Sequence, residues 1–160
     1  MIYYLEKFRS GTLEQNEEGI NMYFYSEIVD ELLKEFPEIS GCYAEELTWI
    51  QNTFQDQETK GQTICFDRCF CDYIGRLLVS EYQNKGMIKK VFAFLENMAR
   101  SDDQEVKNLL QVTVLEYLRS WYLLQSESEK FMQPETRKMF DIVKSYLEEP
   151  VKDAIPYFHG

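Results

Sequence analysis

The chain has 160 residues, of which 44% are hydrophobic and 15% aromatic, and its 28 acidic against 17 basic residues give a formal net charge of −11. That length suits one domain with a core that needs no metal or disulfide staple, and the apolar content argues against disorder. The negative charge opposes binding to nucleic-acid backbone or anionic lipid and suits a basic protein partner.

The charge is uneven. Residues 1–60 hold 13 acidic and 4 basic side chains, net −9, while residues 61–160 hold 15 and 13, net −2. The opening residues contain no apolar core of the length a signal peptide needs. No apolar run approaches the roughly 20 residues of a membrane span. A cytoplasmic location is therefore expected, with cysteines as thiols rather than disulfides.

Residues 1–22 begin with scattered Tyr3, Leu5 and Phe8 and continue as a polar, glycine-containing stretch. They read as an arm, docked or flexible. Residues 23–36 read as a helix, because Phe24, Ile28, Leu32 and Phe36 recur every four positions. Pro37 stops it, since the residue before proline is pushed out of the helical region. Residues 40–52 form a second expected helix, with Tyr43, Leu47 and Ile50 inward. Residues 53–62 have no period and read as a loop.

Residues 63–82 are apolar nearly all round, the mark of a central helix. Residues 87–124 read as two antiparallel helices joined by a sharp polar break. Ile88, Val91, Phe92, Leu95 and Met98 line the first. Val106, Leu109, Leu110, Thr113, Tyr117 and Trp121 line the second. Between them, Ser101 with Gln104 three residues on matches a capping box. Pro134 suits the first position of a last helix, with Met139, Ile142, Val143, Tyr146 and Leu147 as its apolar face. Residues 151–160 form a tail able to dock through Ile155, Tyr157 and Phe158. The expected fold is all-α: a single domain over 1–160 of six or seven antiparallel helices, as a bundle or a short helical array.

Chemistry-bearing patterns are sparse. Cys65, Cys69 and Cys71 lack the second ligand segment that a structural zinc site needs, and they read as small apolar core residues. His159 is the sole histidine and sits next to the terminus, which leaves no partner set for nucleophilic catalysis. Neither a phosphate-binding glycine loop nor a dinucleotide fingerprint is present. No catalytic residue, cofactor or metal site is therefore expected. Adjacent carboxylates such as Asp102/Asp103 point in different directions on a helix and do not make acid/base pairs by themselves. Clustering is the stronger signal. Glu27, Asp30, Glu31, Glu35, Glu45, Glu46, Asp56 and Glu58 fall on two helices and a loop that are consecutive in sequence. Trp49, with Tyr43 and Phe54, borders them as a candidate interface anchor.

The run over residues 92–118, FAFLENMARSDDQEVKNLLQVTVLEYL, joins a Phe-Leu-Glu helix, a Ser-Asp-Asp break and a Leu-Glu-Tyr-Leu helix. It resembles a family of small, acidic, all-helical bacterial proteins, and the segment around Phe36-Pro37-Glu38 is similar to that family's opening. The resemblance covers residues 23–120 loosely. Members look like immunity proteins of polymorphic-toxin and contact-dependent growth inhibition systems. The implied role is to bind and neutralise a cognate toxin domain, often a nuclease. No binding residue transfers from the motif, because it marks the fold. Two other classes stay open: a small helical enzyme using carboxylates from different helices, and an adaptor module for some other partner.

Overall fold

Ile28, Val29, Leu32 and Phe36 are all buried, and the four-residue recurrence that places them on one stripe makes α1 (Ile28–Glu35). In the computed structural model the described residues are 23–53, 61–154, 156 and 158. Phe36 leaves the helical region ahead of Pro37, as expected, and a 3-10 turn (Pro37–Ile39) leads into α2 (Ser40–Thr53). Residues 62–79 form α3, whose middle, Cys65–Phe70, widens into a π-helix. α4 (Lys85–Ala99) follows, with the Asn84 side chain capping it by accepting from the Met87 N–H at 3.1 Å. Residues 104–120 form α5, again with a π-helical middle, Leu109–Leu115. α6 (Tyr122–Glu129) and α7 (Pro134–Tyr146) complete seven helices among the described residues. The fold is all-helical and single-domain, as expected.

α4 and α5 pack as neighbours, and α7 lies across both. The two π-helical segments face each other, and the C-terminal half of α3 meets α4 and α6. At the centre, the rings of Phe36, Phe70 and Phe94 lie 5.6–5.8 Å apart and tie the end of α1 to α3 and α4. Burying one such ring contributes about 2–3 kcal/mol, so this triad outweighs any single polar contact nearby.

Several expectations are corrected. Asp103, not Ser101, is the N-cap of α5, and its Oδ1 accepts from the Glu105 N–H at 3.0 Å. Ser101 instead reaches across to the start of the described chain, where its Oγ donates to the Tyr23 carbonyl at 2.6 Å. Asp103 Oδ2 also accepts from the Tyr25 N–H at 2.8 Å. The Ser-Asp-Asp break thus fastens the chain entering α1, a contact across 78 residues that a local pattern does not reveal. Gln104 bonds Asn108 on the surface instead of closing a capping box.

The buried stripe of α5 also slips. It starts at Val106, Leu109 and Leu110 as expected, but continues through Val114, Leu115 and Leu118, while Thr113 and Tyr117 are only half-buried. The π-helical segment explains the shift, because its wider turn takes up about one extra residue. α5 ends at Ser120 instead of running on to Leu124. Trp121 is extended, and an isolated parallel bridge pairs it with Val151. Val151 donates to the Ser120 carbonyl at 3.1 Å and accepts from the Tyr122 N–H at 3.0 Å, satisfying backbone groups that the helix break exposes. α3 likewise stops at Val79, and Tyr82 is exposed. On α7 the buried residues are Thr136, Phe140 and Val143, whereas Ile142 and Tyr146 face outward. The tail docks through Val151 and through Phe158, whose ring lies 4.9 Å from the Arg76 guanidinium carbon. Ile155 and Tyr157 lie outside the described residues, as do residues 1–22.

The cysteine expectation is overturned as well. Cys42 and Cys69 form a disulfide, with their Cα atoms 5.8 Å apart, while Cys65 and Cys71 are buried thiols. A cross-link between residues 27 apart in sequence contributes about 3–4 kcal/mol in the chain-entropy account. That matters for α2, where Ile50 is the one buried side chain and contributes about 2 kcal/mol. The Ile50 Cδ1 atom occupies the place a side chain would take at Gly61, whose φ of +62° already favours glycine.

Candidate functional site

The outer side of α1 carries Glu27, Asp30, Glu31 and Lys34, which fall within an arc of about 100° at 100° per residue. Glu27, Asp30 and Lys34 are exposed, and Glu31 and Glu35 sit half-buried on its flank. On α2, Glu45 and Trp49 are one turn apart and both exposed, Trp49 at 50%. Glu46 is half-buried beside them.

Electrostatic neighbours locate these residues relative to one another. Burial, then the Cys65 sulfur and the Asp30 carboxylate, hold the Tyr43 hydroxyl above its ordinary value, so Asp30 on α1 is within reach of α2. Burial also pushes the Tyr23 hydroxyl up to about 12, with Glu31 and Glu35 adding to the effect. Asp30 therefore faces the α2 side of α1, while Glu31 and Glu35 face the α4 side.

Cations neutralise part of the cluster. Lys90 Nζ lies 3.8 Å from Glu35 Oε2, donates to the Glu35 carbonyl at 2.8 Å and sits 5.3 Å from the centre of the Phe36 ring. Arg68 pairs with Glu46 at 3.8 Å. Glu27, Glu31 and Glu45 form no ion pair among the described residues. Glu27, Asp30 and Glu31 thus share one side of α1, Glu45 and Trp49 lie one turn apart on α2, and Glu35 and Glu46 are paired with Lys90 and Arg68. Asp56 and Glu58 lie outside the described residues, as does Phe54.

Sequence reasoning missed Glu38. It sits in the turn between α1 and α2 and accepts a hydrogen bond from the Tyr73 hydroxyl, which joins the acidic stretch to α3. Its signal was present in Pro37-Glu38, a charged residue next to a helix break. The pairing of Cys42 with Cys69 had no local signal.

A concavity of about 310 Å³ opens between Tyr25, Thr63 and the π-helical part of α5, with Glu105 as its one carboxylate. Among the described residues no group of three or more His, Cys, Asp or Glu is placed to hold a metal. None of the described helices is long and apolar enough to cross a membrane. Sequence comparison matches residues 29–148, three quarters of the chain, to a family described as a domain of unknown function, DUF7674. No curated protein and no solved structure matches.

Proposed function

The chain belongs to the DUF7674 family, a domain of unknown function, and we propose, from its charge distribution and the resemblance over residues 92–118, that it is a cytoplasmic immunity protein. It acts by binding, not catalysis, and neutralises a cognate toxin domain of basic, nuclease type. The supporting observations are that Glu27 and Glu31 by α1 and Glu45 on α2 form no ion pair among the described residues, and that Trp49, one turn from Glu45, is half-exposed. Such a surface steers a cationic partner and selects it by charge, while the indole supplies buried contact area. Occupying the toxin's phosphate-binding surface excludes its substrate. The helical resemblance over residues 92–118 supports the same reading, through the fold alone.

The test is a binding measurement with the purified product of the neighbouring toxin gene. Reversing Glu27, Glu31 and Glu45 to lysine is expected to lower the association rate at least tenfold, with an unchanged circular dichroism spectrum. The wild-type rate is expected to fall steeply with added salt. Equal dissociation constants for the two proteins would remove this face from the mechanism.

A further inference from the structure

α2, which fully buries only one side chain, carries one end of the covalent cross-link. α2 fully buries Ile50 alone, with Tyr43 and Leu47 half-buried, and its ion pair, Glu46 with Arg68, joins two partly exposed groups. Cys42, in the first turn of α2, is half-exposed, and Cys69 is 4% exposed in the π-helical segment of α3. Opening that bond leaves α2 held by one fully buried side chain, by half-buried Tyr43 and Leu47, and by a partly exposed ion pair.

We propose that the Cys42–Cys69 disulfide is a reducible clamp, opened by a dithiol reductant, that decides whether α2 is docked on the core. A thiolate of the dithiol attacks the Cys42 sulfur, the more accessible of the two. The S–S bond breaks, and Cys69 leaves as a thiolate that takes up a proton. The second thiolate of the dithiol then attacks the dithiol's own sulfur in the mixed disulfide and releases Cys42, which is protonated in turn. Two electrons and two protons enter the protein, and the dithiol becomes a disulfide. In a reducing compartment, disulfides of this kind are transient or sensing ones, not permanent staples.

Cys65 lies one turn before Cys69 and does not compete. Its side chain is 1% exposed, and burial pushes the thiol up to about 12. With its sulfur buried and its thiolate disfavoured at neutral pH, it does not displace Cys69 and scramble the pair. With the clamp open, Glu45, Glu46 and Trp49 move with α2 away from the α1 face. That consequence rests on the docking reading above, whereas release of the helix does not.

The experiment follows amide hydrogen exchange and maleimide labelling of the full chain. The chain is first oxidised with excess oxidised glutathione and then treated with dithiothreitol without denaturant. Reduction is expected to raise exchange over residues 42–53 at least tenfold and leave residues 85–99 unchanged, with maleimide reaching Cys42 before Cys69. Cys42→Ser, never treated with dithiol, is expected to exchange like the reduced wild type. Wild-type reduction reads the same quantity if that variant does not fold. Four free thiols after oxidation, a bond that resists millimolar dithiothreitol, or equal exchange in both states would each overturn the clamp. Loss of protection over residues 85–99 on reduction would also overturn it, since the bond would then be a staple of the whole fold.

Discussion

Glu96 on α4 caps α7 through Thr136. The Glu96 Oε1 atom accepts from the Thr136 N–H at 2.8 Å and from the Thr136 hydroxyl at 2.9 Å, and Oε2 accepts from the Glu135 N–H at 3.1 Å. Both Glu96 and Thr136 are buried. The first amides of a helix have no partners within it, and here a carboxylate from another helix satisfies two of them while complementing the helix dipole. Gln133, the residue at the N-cap of α7, makes no side-chain cap of its own. Glu96→Ala leaves these donors buried and unpaired. It is expected to cost about 2–3 kcal/mol, read as a lower urea midpoint with unchanged slope. Glu96→Gln retains one acceptor oxygen and is expected to cost less.

Asp103 serves two elements at once, as N-cap of α5 and as acceptor for the Tyr25 N–H. Asp103→Ala is expected to lose about 1–2 kcal/mol and to speed exchange of the Tyr25 amide. Asp102→Ala and Gln104→Ala change exposed side chains and are expected to stay within about 0.5 kcal/mol of wild type by urea unfolding. A large loss from Gln104→Ala would restore the capping-box reading.

Gly75 is buried against the Tyr117 hydroxyl and the Phe158 ring, and a methyl group there overlaps both. Gly75→Ala is expected to cost about 1–3 kcal/mol by overpacking and to free the tail from α3, read as faster exchange near residue 151. The Tyr117 hydroxyl is buried with no hydrogen-bond partner. Tyr117→Phe is therefore expected to be neutral or stabilising, by up to about 1 kcal/mol, and to recover part of the Gly75→Ala loss. A thermodynamic cycle over the two sites measures that coupling.

Alkaline pH should loosen the fold in a defined window. Burial raises the Cys65 thiol from 9.0 to about 12 and the Tyr23 hydroxyl from 10.0 to about 12. In both cases the folded state holds its proton where the unfolded state has released it. Their contribution to stability is full below the unfolded values and is lost as pH rises through the folded ones. Urea midpoints are expected to hold up to about pH 9 and fall between about pH 9 and 12. Native Cys65 is expected to resist iodoacetamide at about pH 8 and to react after unfolding.

Local sequence was a good guide wherever one turn of chain decides the outcome. Phe36-Pro37 ended α1 and Pro134 opened α7. The stripe from Ile88 to Met98 is buried as its spacing required, because a 3.6-residue period is a property of neighbouring residues. The carboxylates of α1 and of α2 were legible as a face on each helix for the same reason: residues about one turn apart share a side of a helix. The motif over residues 92–118 was legible as a pattern, yet the roles of its residues were not. Glu96 caps α7, and Ser101 and Asp103 hold the entry to α1, all through partners 39 to 78 positions away.

The amino-acid order alone determined an all-helical chain, the main helix starts and stops, and a surplus of negative charge toward its beginning. Each depends on side chains within a turn or two of one another. Tertiary structure alone decided that Cys42 meets Cys69, that α5 shifts its buried stripe through a π-helical turn, and that Trp121 breaks from the helix to meet Val151. These outcomes depend on which surfaces face each other once the helices pack. A contact between distant segments leaves no period in the sequence to announce it.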